Sequence, residues 1–556
     1  MKWKKLEHNG ILFPPDFETK KIKIKIKGES VDLDINQEEM IYQWAKKKDT
    51  PYAQDKVFQK NFLADFAKTF GKKYKKLELD DVDFKNAFNL VDKEKDAKEL
   101  LTKEEKKALA AKRKELREEM KVKFGTGKMD GNEVEIANYM AEPPGIFIGR
   151  GEHPLRGKWK PKVTSKDVTL NLGKEAKVPA GNWGKIVHDQ ESMWMASWTD
   201  FLTQKRKYVW LADTAGIKQD RDKAKYDKAK MLAKEIETIK NKIVKDMQNK
   251  DPKVRRISTV CWLIYRTAMR VGDEKDPDEA DTVGATTLRK EHVTLTSDAI
   301  KFDFLGKDSV RWQETVPAVG NDKQFHENLK ELTAKIKATD EIFGNLTSRD
   351  VNEYYKTVVK GLTAKVFRTF SASTVVSKYL NENGDVKKGS QMEKLYHAKL
   401  ANLEAAIMCN HKRTIPKTFE QSLQKKRDTL KTAEKATPWK KNEEVLKKAE
   451  STKTKTDAQE KKRKERITKI KGMIKKSKAK QKERVEKLRL QLDLTEKTRD
   501  YNLGTSLRNY IDPRIFKSWT DEVTADWEKL YTAALQKKFL WVKSENESWQ
   551  NVSKHY

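Results

Sequence analysis

Hydrophobic and polar residues alternate in the amino-terminal part of this sequence, which predicts β-strands there. Apolar residues occupy every second position over residues 22–26 and again over 31–35, so they would lie on one face of a β-hairpin. Asn36 and Glu39 have capping-box spacing and predict that a helix follows. Short runs rich in tryptophan and tyrosine between residues 164 and 211 predict further strands. This part of the chain should therefore mix helices with sheets.

Helical spacing replaces the alternation further along the chain. Thr102 and Glu105 predict the cap of a highly charged helix that runs to about Lys123 and bridges two lobes. The Asp251-Pro252 pair predicts the start of another helix. Apolar residues then recur at spacings of three and four, so one face of that helix should be buried: Ile257, Cys261, Ile264 and Ala268.

Residues 415–499 form a strongly basic segment with a helical pattern. Between residues 453 and 491 there are 17 Lys and Arg against 5 Asp and Glu, yet apolar residues keep a seam that is interrupted near Ser477 and Gln481. The Ala436-Thr437-Pro438 stretch would break the first helix. These features predict an antiparallel coiled-coil hairpin about 50 Å long.

The composition favours a partner that is a polyanion. The 556 residues include 119 Lys and Arg, the formal net charge is +34, and the mean hydropathy is −0.88. Nucleic acid is the expected partner, with an anionic membrane surface as the competitor. No apolar run approaches the length of a membrane span. The two cysteines, Cys261 and Cys409, lie in apolar helical patterns and are expected to be reduced core residues.

Tyr510 is a candidate nucleophile. Arg508 and Arg514 flank it in a segment that predicts a short helix before Asp512-Pro513. A tyrosine hydroxyl has an ordinary pKa of about 10, so it attacks poorly near neutral pH unless cations or a base assist it. The alternative is a tyrosine that only packs its ring at a helix end.

Four other residues could complete a cationic site. Arg270 ends an apolar helix, and Lys307 lies at the tip of a predicted hairpin. Arg368 has apolar neighbours, so it needs an internal carboxylate or a ligand phosphate as its partner. His411 comes four residues after Ile407 on the apolar face of an amphipathic helix. Each also has an ordinary alternative: a surface arginine, a solvated turn lysine, an internal ion pair and a core histidine.

The glycine- and proline-rich loop over residues 141–163 is a candidate DNA contact. Its glycines allow the backbone to approach a ligand, and it carries Arg150 and His153 followed by a basic run. A surface loop without a function would have a similar composition.

These candidates occur in the order and local contexts of one family, because the chain resembles the eukaryotic-type DNA topoisomerase IB family. The resemblance covers nearly the whole chain and includes the loop around Pro143. It is carried by six motifs: Thr267–Lys275, Glu279–Gly284, Phe302–Ser309, Gly361–Arg368, Cys409–Arg413 and Leu503–Arg514.

The resemblance implies a multidomain α+β protein that clamps duplex DNA. Its parts would be a mixed α/β core lobe, a mixed α/β cap, a mainly helical catalytic domain of the tyrosine recombinase and topoisomerase IB type, a coiled-coil linker and a small helical carboxyl-terminal domain. In that order, the expected residues are 1–18 with 106–215, 19–105, 216–414, 415–499 and 500–556.

The resemblance also implies a reaction. Tyr510 would attack a DNA phosphodiester, form a 3′-phosphotyrosine and release a 5′-hydroxyl, and the broken strand would swivel before religation. Arg270, Arg368 and His411 would stabilise the charge on the nonbridging oxygens, and Lys307 would protonate the leaving oxygen. No cofactor is expected, because the ester bond is conserved without ATP and the cationic side chains take the place of metal ions.

Further positions match family residues that contact DNA. They are Arg150, His153, Asp308, Thr505 and Asn509. Some of these contact camptothecin-type drugs at the nick in the family, so such drugs are candidate inhibitors. The protein is expected to act as a monomer, and no membrane partner is expected.

One departure concerns location. Family members usually have a long, lysine-rich amino-terminal region with nuclear-import signals, whereas this chain starts inside the core. A nuclear location is expected from the resemblance, for either a truncated form or a compact, viral member.

Two other classes of protein compete with this interpretation. A tyrosine recombinase uses the same residue types, but it acts as a tetramer at defined sites and normally lacks a long linker before the tyrosine. An architectural DNA-binding protein would need only the positive charge.

Overall fold

The computed structural model describes residues 3–149, 151–272, 283–307 and 310–556. Arg150, Asp308 and most of the predicted motif Glu279–Gly284 lie outside the described residues. The chain divides into two compact units: residues 1–222 with 274–282 and 305–309, and residues 223–273 with 283–304 and 310–556. This division is coarser than the five parts expected from the sequence, which stay a prediction.

The first unit contains twelve strands and four helices among its described residues. Its strands are β1 Leu6–His8, β2 Ile24–Ile26, β3 Glu29–Val31, β4 Val82–Asp83, β5 Thr126–Met129, β6 Asn132–Ala137, β7 Gly145–Ile146, β8 Trp159–Lys160, β9 Thr169–Asn171, β10 Lys185–Val187, β11 Trp194–Thr199 and β12 Arg206–Leu211. Its helices are α1 Ile35–Ala45, α2 Lys56–Lys68, α3 Lys85–Leu100 and α4 Lys103–Phe124.

Seven of these strands form one sheet in the order β1-β5-β6-β12-β11-β9-β10. Neighbours pair antiparallel except β9 and β10, which are parallel. In β12 the alternate residues Val209 and Leu211 point into a buried core, and in β11 the consecutive residues 195–198 are all buried. The strands predicted between residues 164 and 211 are therefore confirmed.

A second core in this unit is rich in aromatic rings. Helices α1 to α3 pack on the small sheet β3-β2-β4, which contains the predicted hairpin. The predicted cap of α1 was wrong by two residues, because Asp34 and Gln37 make the capping box and Asn36 already lies in the first turn. The capping box of Thr102 and Glu105 is confirmed, and α4 that follows it has no buried residue.

The second unit is mainly helical. It has one small sheet, β13-β14-β15, with strands Val293–Leu295, Ala299–Gly306 and Val310–Pro317. Its helices are α5 Gly216–Asp246, which begins before the unit boundary, α6 Pro252–Thr267, α7 Asn321–Thr333, α8 Ser348–Val358, α9 Ala364–Asn383, α10 Gln391–Met408, α11 Phe419–Lys435, α12 Lys440–Ser451, α13 Asp457–Lys497, α14 Leu503–Asn509, α15 Pro513–Glu522, α16 Ala533–Lys538 and α17 Trp549–Ser553.

Two buried clusters organise the helices of this unit. One surrounds α6, whose predicted cap Asp251 accepts a hydrogen bond from the Lys253 N–H at 2.8 Å. The other joins α9, α10 and α15. Cys261 and Cys409 are both buried, as expected for core residues. No helix among the described residues has the length and apolarity needed to cross a membrane.

The basic segment consists of two shorter helices that pack along one long helix. Helices α11 and α12 both contact α13, and the chain breaks between them at the predicted Ala436-Thr437-Pro438. Ion pairs fix an antiparallel register: Glu434 with Arg489 at 2.7 Å, Glu443 with Lys478 at 2.8 Å and Glu450 with Lys471 at 3.1 Å. With 41 residues, α13 is about 60 Å long.

Gln481 explains the interruption of the apolar seam. Its side chain is buried and donates a hydrogen bond to the Ala433 carbonyl near the end of α11. Carbonyls at a helix end lack partners within the helix. The polar residue therefore lies where the opposing helix ends, and it gives the Ala433 carbonyl a second donor beside the Ala436 N–H.

The aromatic core of the first unit generates a stability prediction. Phe62 is fully buried and stacks on Trp44, with ring centroids 4.6 Å apart. Phe62→Ala should lower the local free energy of unfolding by about 3–5 kcal/mol, because it removes buried area and leaves a cavity. Hydrogen exchange of the α2 amides measures this change. Val57→Ala is the control on the same helix, because Val57 is 37% exposed; equal effects of the two substitutions would contradict the prediction.

Candidate active site

Four of the five predicted catalytic residues meet in the second unit. The ring of Tyr510 stacks on His411 with centroids 5.4 Å apart, and the guanidinium carbon of Arg368 lies 5.1 Å from the centroid of the Tyr510 ring. Although burial and the charge of Arg368 lower the pKa of Arg270 more, the Tyr510 side chain lies close enough to that guanidinium to raise it. We call Tyr510, Arg270, Arg368 and His411 the tyrosine cluster. It joins residues that are up to 240 positions apart in the sequence.

Tyr510 stands at the end of a short helix that is fixed on both sides. Asn502 caps α14 by accepting a hydrogen bond from the Gly504 N–H at 3.0 Å. Ser506, which is buried, donates to the Asn402 side chain at 2.7 Å, and the Tyr510 N–H donates to the Ser506 carbonyl at 2.9 Å. The short helix α14 therefore gains much of its position from α10 rather than from its own length.

His411 reaches the cluster because α10 ends just before it. The Asn410 N–H donates to the Ile407 carbonyl and the His411 N–H to the Ala406 carbonyl, which is the pattern of a Schellman motif with Asn410 in the left-handed conformation. The predicted helix face was wrong, because Ile407 is 44% exposed and His411 lies beyond the helix end. The turn, not the helical period, directs the imidazole.

Arg270 follows a similar turn at the end of α6. Ala268 has φ of +52°, which terminates the helix. Gly272, two residues after Arg270, packs against Gly284, and a Cβ on Gly284 would lie only 2.5 Å from the Gly272 Cα. The Ala285 N–H donates to the Arg270 carbonyl at 2.8 Å. The backbone on both sides of Arg270 is therefore closely confined.

Arg368 is buried, and its recorded partners are backbone carbonyls. Its side chain is 7% exposed, donates to the Ala268 carbonyl at 2.9 Å and also donates to the Cys409 carbonyl. Its Nε has no hydrogen-bond partner among the described residues. The sequence left an internal carboxylate and a ligand phosphate open as partners. The contacts favour the second, because carbonyls orient a guanidinium without neutralising its charge.

The cluster is electropositive and partly dehydrated. Burial and then the charges of Arg368 and Arg270 lower the pKa of His411 to about 3. Burial and the charge of Arg368 also lower the pKa of Arg270. Both His411 ring nitrogens are buried without a hydrogen-bond partner among the described residues. Two guanidinium groups and an imidazole that can donate a hydrogen bond suit an anion with several oxygens, such as a phosphodiester.

Lys307, the fifth predicted catalytic residue, is exposed after β14 and falls in the first compact unit. The predicted hairpin strands on either side of it are confirmed as β14 and β15. Its role in catalysis stays a prediction.

The predicted DNA-contact residues are described for three positions. The His153 ring packs edge-on against Phe147 at 5.0 Å, and its Nδ1 accepts a hydrogen bond from the Leu155 N–H at 3.1 Å. Thr505 is partly exposed and Asn509 is exposed, both on α14. Arg150 and Asp308 lie outside the described residues. The structure leaves the DNA contacts of all five as predictions.

Arg514 does not act as the cationic neighbour that the sequence suggested. It is 3% exposed and pairs with Asp512 at 2.8 Å and with Asp227 at 2.7 Å. These carboxylates occupy its charge, and they raise its pKa against the effect of burial. Arg270 and Arg368, distant in sequence, supply the guanidinium groups beside Tyr510 instead.

Two polar residues that hold Tyr510 were not foreseen. Asn402 accepts from Ser506, and Ser373 donates to the Tyr510 carbonyl at 3.4 Å. Both lie within apolar helical patterns, where an asparagine or a serine carries no motif. Among the residues that the structure describes, no group of three His, Cys, Asp or Glu could hold a metal ion.

Comparison with known proteins identifies the family. Family models match residues 1–211 (eukaryotic DNA topoisomerase I, DNA binding fragment), 214–445 (eukaryotic DNA topoisomerase I, catalytic core) and 482–551 (C-terminal topoisomerase domain). The chain is 33% identical to DNA topoisomerase 1 of Homo sapiens over 556 residues, covering 97% of this chain and 71% of the relative. The chain belongs to the eukaryotic DNA topoisomerase I family.

Two further relatives show the same extent of similarity. DNA topoisomerase 1 of Candidozyma auris is 33% identical, with 99% of this chain and 83% of the relative covered. DNA topoisomerase 1 alpha of Arabidopsis thaliana is 37% identical, with 97% of this chain covered. The chain spans 58% of the length of that plant relative. The resemblance expected from the six motifs is confirmed.

The low pKa of His411 predicts a pH dependence of stability. The imidazole is neutral in the folded protein, whereas it takes up a proton below about pH 6.5 once unfolded. The wild type should therefore lose about 1.4 kcal/mol of stability through this residue for each pH unit between about 6.5 and 3. Thermal unfolding at pH 7.5 and pH 5 should show a smaller loss for His411→Gln. Equal losses in the two proteins would contradict the low pKa.

Proposed function

We propose that this chain is a DNA topoisomerase of type IB that relaxes positive and negative supercoils. One DNA strand would be cut through a 3′-phosphotyrosyl intermediate, rotate and be rejoined. The observation that carries the proposal is the tyrosine cluster, in which one phenol adjoins two guanidinium groups and an imidazole. Arg368 donates to carbonyls, which do not neutralise its charge. A phosphodiester bound beside Tyr510 would supply the anion.

The first chemical step is an exchange of esters. The Tyr510 oxygen forms a bond to phosphorus, the bond from phosphorus to the 5′-oxygen breaks, and the phenol proton passes to solvent water. A guanidinium next to the phenol oxygen stabilises the phenolate that attack requires. In this proposal Arg270 performs that role and also contacts the phosphoryl group.

Negative charge then builds on the two nonbridging oxygens. Arg368 is held by two carbonyls at the ends of α6 and α10, so its remaining N–H groups are oriented before substrate arrives. His411 is neutral when its pKa is about 3, and a neutral imidazole donates through one nitrogen. Preorganised donors of this kind are effective because the protein does not reorganise during the reaction.

Lys307 is the proposed general acid. The departing 5′-oxygen must gain a proton, and an exposed lysine at the end of a hairpin can approach DNA that is bound beside it. Religation reverses the step and restores the phenol. The phosphotyrosine preserves the energy of the ester, so neither ATP nor an obligatory metal ion is part of the proposed reaction.

The proposal extends to the parts of the chain around the site. Residues 19–105 would act as a cap over duplex DNA, with Arg150, His153, Asp308, Thr505 and Asn509 as DNA contacts, and the protein would work as a monomer. The helices over residues 415–499 would be the coiled-coil linker. Camptothecin-type compounds are candidate inhibitors, and the nucleus is the proposed location.

A tyrosine recombinase remains the enzyme class to separate from this proposal. The antiparallel packing of α11 and α12 on α13 precedes the tyrosine directly. Such an insertion is expected of the topoisomerase and not of the recombinase. A recombinase would also yield recombinant products at defined sites.

Plasmid relaxation tests the proposed function. In EDTA and without ATP, the wild type should relax both positive and negative supercoils, whereas Tyr510→Phe should form no covalent adduct because it lacks the nucleophilic oxygen. The variant should still bind duplex DNA, with an affinity that falls steeply as salt is added. Gel analysis of relaxed plasmid and of denatured protein–DNA adducts measures both results.

Two outcomes would contradict this proposal. An adduct formed by Tyr510→Phe would show that another residue is the nucleophile. Site-specific recombinant products would instead assign the chain to the recombinases.

The role of Lys307 can be tested with an altered leaving group. Lys307→Ala should slow cleavage by a factor of about 10²–10⁴, as expected for loss of a general acid. A substrate with sulfur in place of the 5′-oxygen should restore most of the rate, since a thiolate leaves without a proton. Single-turnover cleavage of a nicked duplex provides the measurement.

Lys301→Ala is the matched control, because Lys301 is exposed on β14 of the same hairpin. It should cleave both substrates at wild-type rates. If sulfur failed to restore cleavage by Lys307→Ala, the lysine would have a role other than proton donation.

A further inference from the structure

A buried ion network lies directly behind the tyrosine cluster. Asp512, two residues after Tyr510, is fully buried and accepts two hydrogen bonds from the Arg514 side chain to its Oδ2, at 2.8 and 3.1 Å. Arg514 also pairs with Asp227 at 2.7 Å, and the Tyr556 hydroxyl donates to Asp512 Oδ2 at 2.8 Å. We call Asp512, Arg514, Asp227 and Tyr556 the Asp512 network. None of the proposed chemical steps uses it.

The network is connected to the backbone of Tyr510. The Asp512 N–H donates to Ser373 Oγ at 3.0 Å, and the same Oγ donates to the Tyr510 carbonyl at 3.4 Å. Asp512 also caps α15, because its Oδ1 accepts from the Arg514 N–H at 2.9 Å. Because the carboxylate caps α15, a rotation that broke this cap would loosen the Asp512 backbone, whose N–H is joined through Ser373 to the Tyr510 carbonyl.

Tyr556 approaches Asp512 on a separate segment of chain. Helix α17 packs on α9 and α15, and Val552 within it is fully buried. Two ion pairs with α5 hold the stretch before α17: Lys223 with Glu545 at 2.6 Å and Lys230 with Glu547 at 2.9 Å. This segment therefore presents the phenol of Tyr556 in a fixed orientation.

The hydroxyl of Tyr556 has a specific task at Asp512. A carboxylate without solvent depends on every donor around it, and a hydrogen bond to a charged group is stronger than one between neutral groups. Arg514 approaches Asp512 from the Nε and Nη2 edge, and Tyr556 supplies a donor from a different element. Without that donor the carboxylate is fixed by Arg514 and the α15 backbone alone.

We propose that Tyr556 is a positioning residue for Tyr510, acting through Asp512 and Ser373. Its hydroxyl fixes the Asp512 carboxylate, which caps α15 and so holds the Asp512 backbone. The Asp512 N–H in turn holds Ser373, whose hydroxyl donates to the Tyr510 carbonyl and so fixes the direction of the nucleophile. The inference rests on the proposed function, because it concerns the rate at which Tyr510 reacts. Tyr556 thus tunes the cleavage step through protein contacts.

Tyr556→Phe tests this role, because it removes the hydroxyl and keeps the ring. Cleavage of a nicked duplex under single-turnover conditions should slow by about tenfold, the effect of losing one hydrogen bond to a buried charge. The dissociation constant for duplex DNA should not change. Unchanged DNA affinity also shows that the variant is folded.

Tyr531→Phe is the matched control. Tyr531 is buried in the same apolar cluster, and its hydroxyl has no hydrogen-bond partner among the described residues. It should cleave at the wild-type rate and keep a thermal midpoint no lower than that of the wild type, because no hydrogen bond is lost. Slower cleavage by Tyr556→Phe alone would support the positioning role.

Two results would overturn the inference. Equal cleavage rates for Tyr556→Phe and Tyr531→Phe would show that the hydroxyl does not position the nucleophile. If Tyr556→Phe cleaved more slowly but also bound DNA more weakly and had a lower thermal midpoint, its role would be purely structural. Failure of the wild type to form any adduct would instead contradict the proposed function, so the two failures are distinguishable.

Discussion

The arrangement of this site depends on two guanidinium groups that lie beside one phenol. The more deeply buried guanidinium, that of Arg368, donates its hydrogen bonds to backbone carbonyls. Arg368 is 7% exposed and donates to the carbonyls of Ala268 and Cys409. Carbonyl dipoles orient a cation but leave its net charge uncompensated. Burial, and after it the charges of Arg368 and Arg270, lower the pKa of His411. A polyanion that enters the site would relieve the repulsion between the two guanidinium groups. This repulsion therefore favours the binding of an anion.

The two carbonyls that hold Arg368 also connect the turns that carry its partners. Ala268 ends α6 in the left-handed conformation, two residues before Arg270, and Cys409 precedes the left-handed Asn410 that directs His411. One side chain on α9 therefore ties together the ends of α6 and α10. Arg368 therefore has a structural role in addition to its charge. Its two hydrogen bonds join the ends of α6 and α10, so the site is built from helix ends and not from helix faces.

The sequence predicted which residues meet at this site better than how the chain brings them together. The motifs that carry the family resemblance named the members of the tyrosine cluster, whereas each residue taken alone also had an ordinary alternative. The period of α10 placed Ile407 and His411 on one face, but the Schellman turn intervened. Arg514 was expected beside Tyr510, but it pairs with the carboxylates of Asp512, close in sequence, and Asp227, distant in sequence. Turn geometry and long-range ion pairs depend on residues that no local pattern connects, so these errors share one physical origin.

Gln481 shows the same limit in the fold. Of the apolar residues of the predicted seam, Ile470 and Ile474 lie in one buried cluster and Ile467 packs against it. The gap at Gln481 was visible in the sequence, but its reason was not. Only the packing of α13 reveals that the polar side chain meets the Ala433 carbonyl near the end of α11. Buried polar side chains are usually hydrogen-bonded, and many of them bond to backbone groups. Asp512 follows this rule beside the nucleophile: it caps α15, neutralises Arg514 and accepts from Tyr556. A nucleophile on a helix as short as α14 requires such support, because seven residues do not hold their own position.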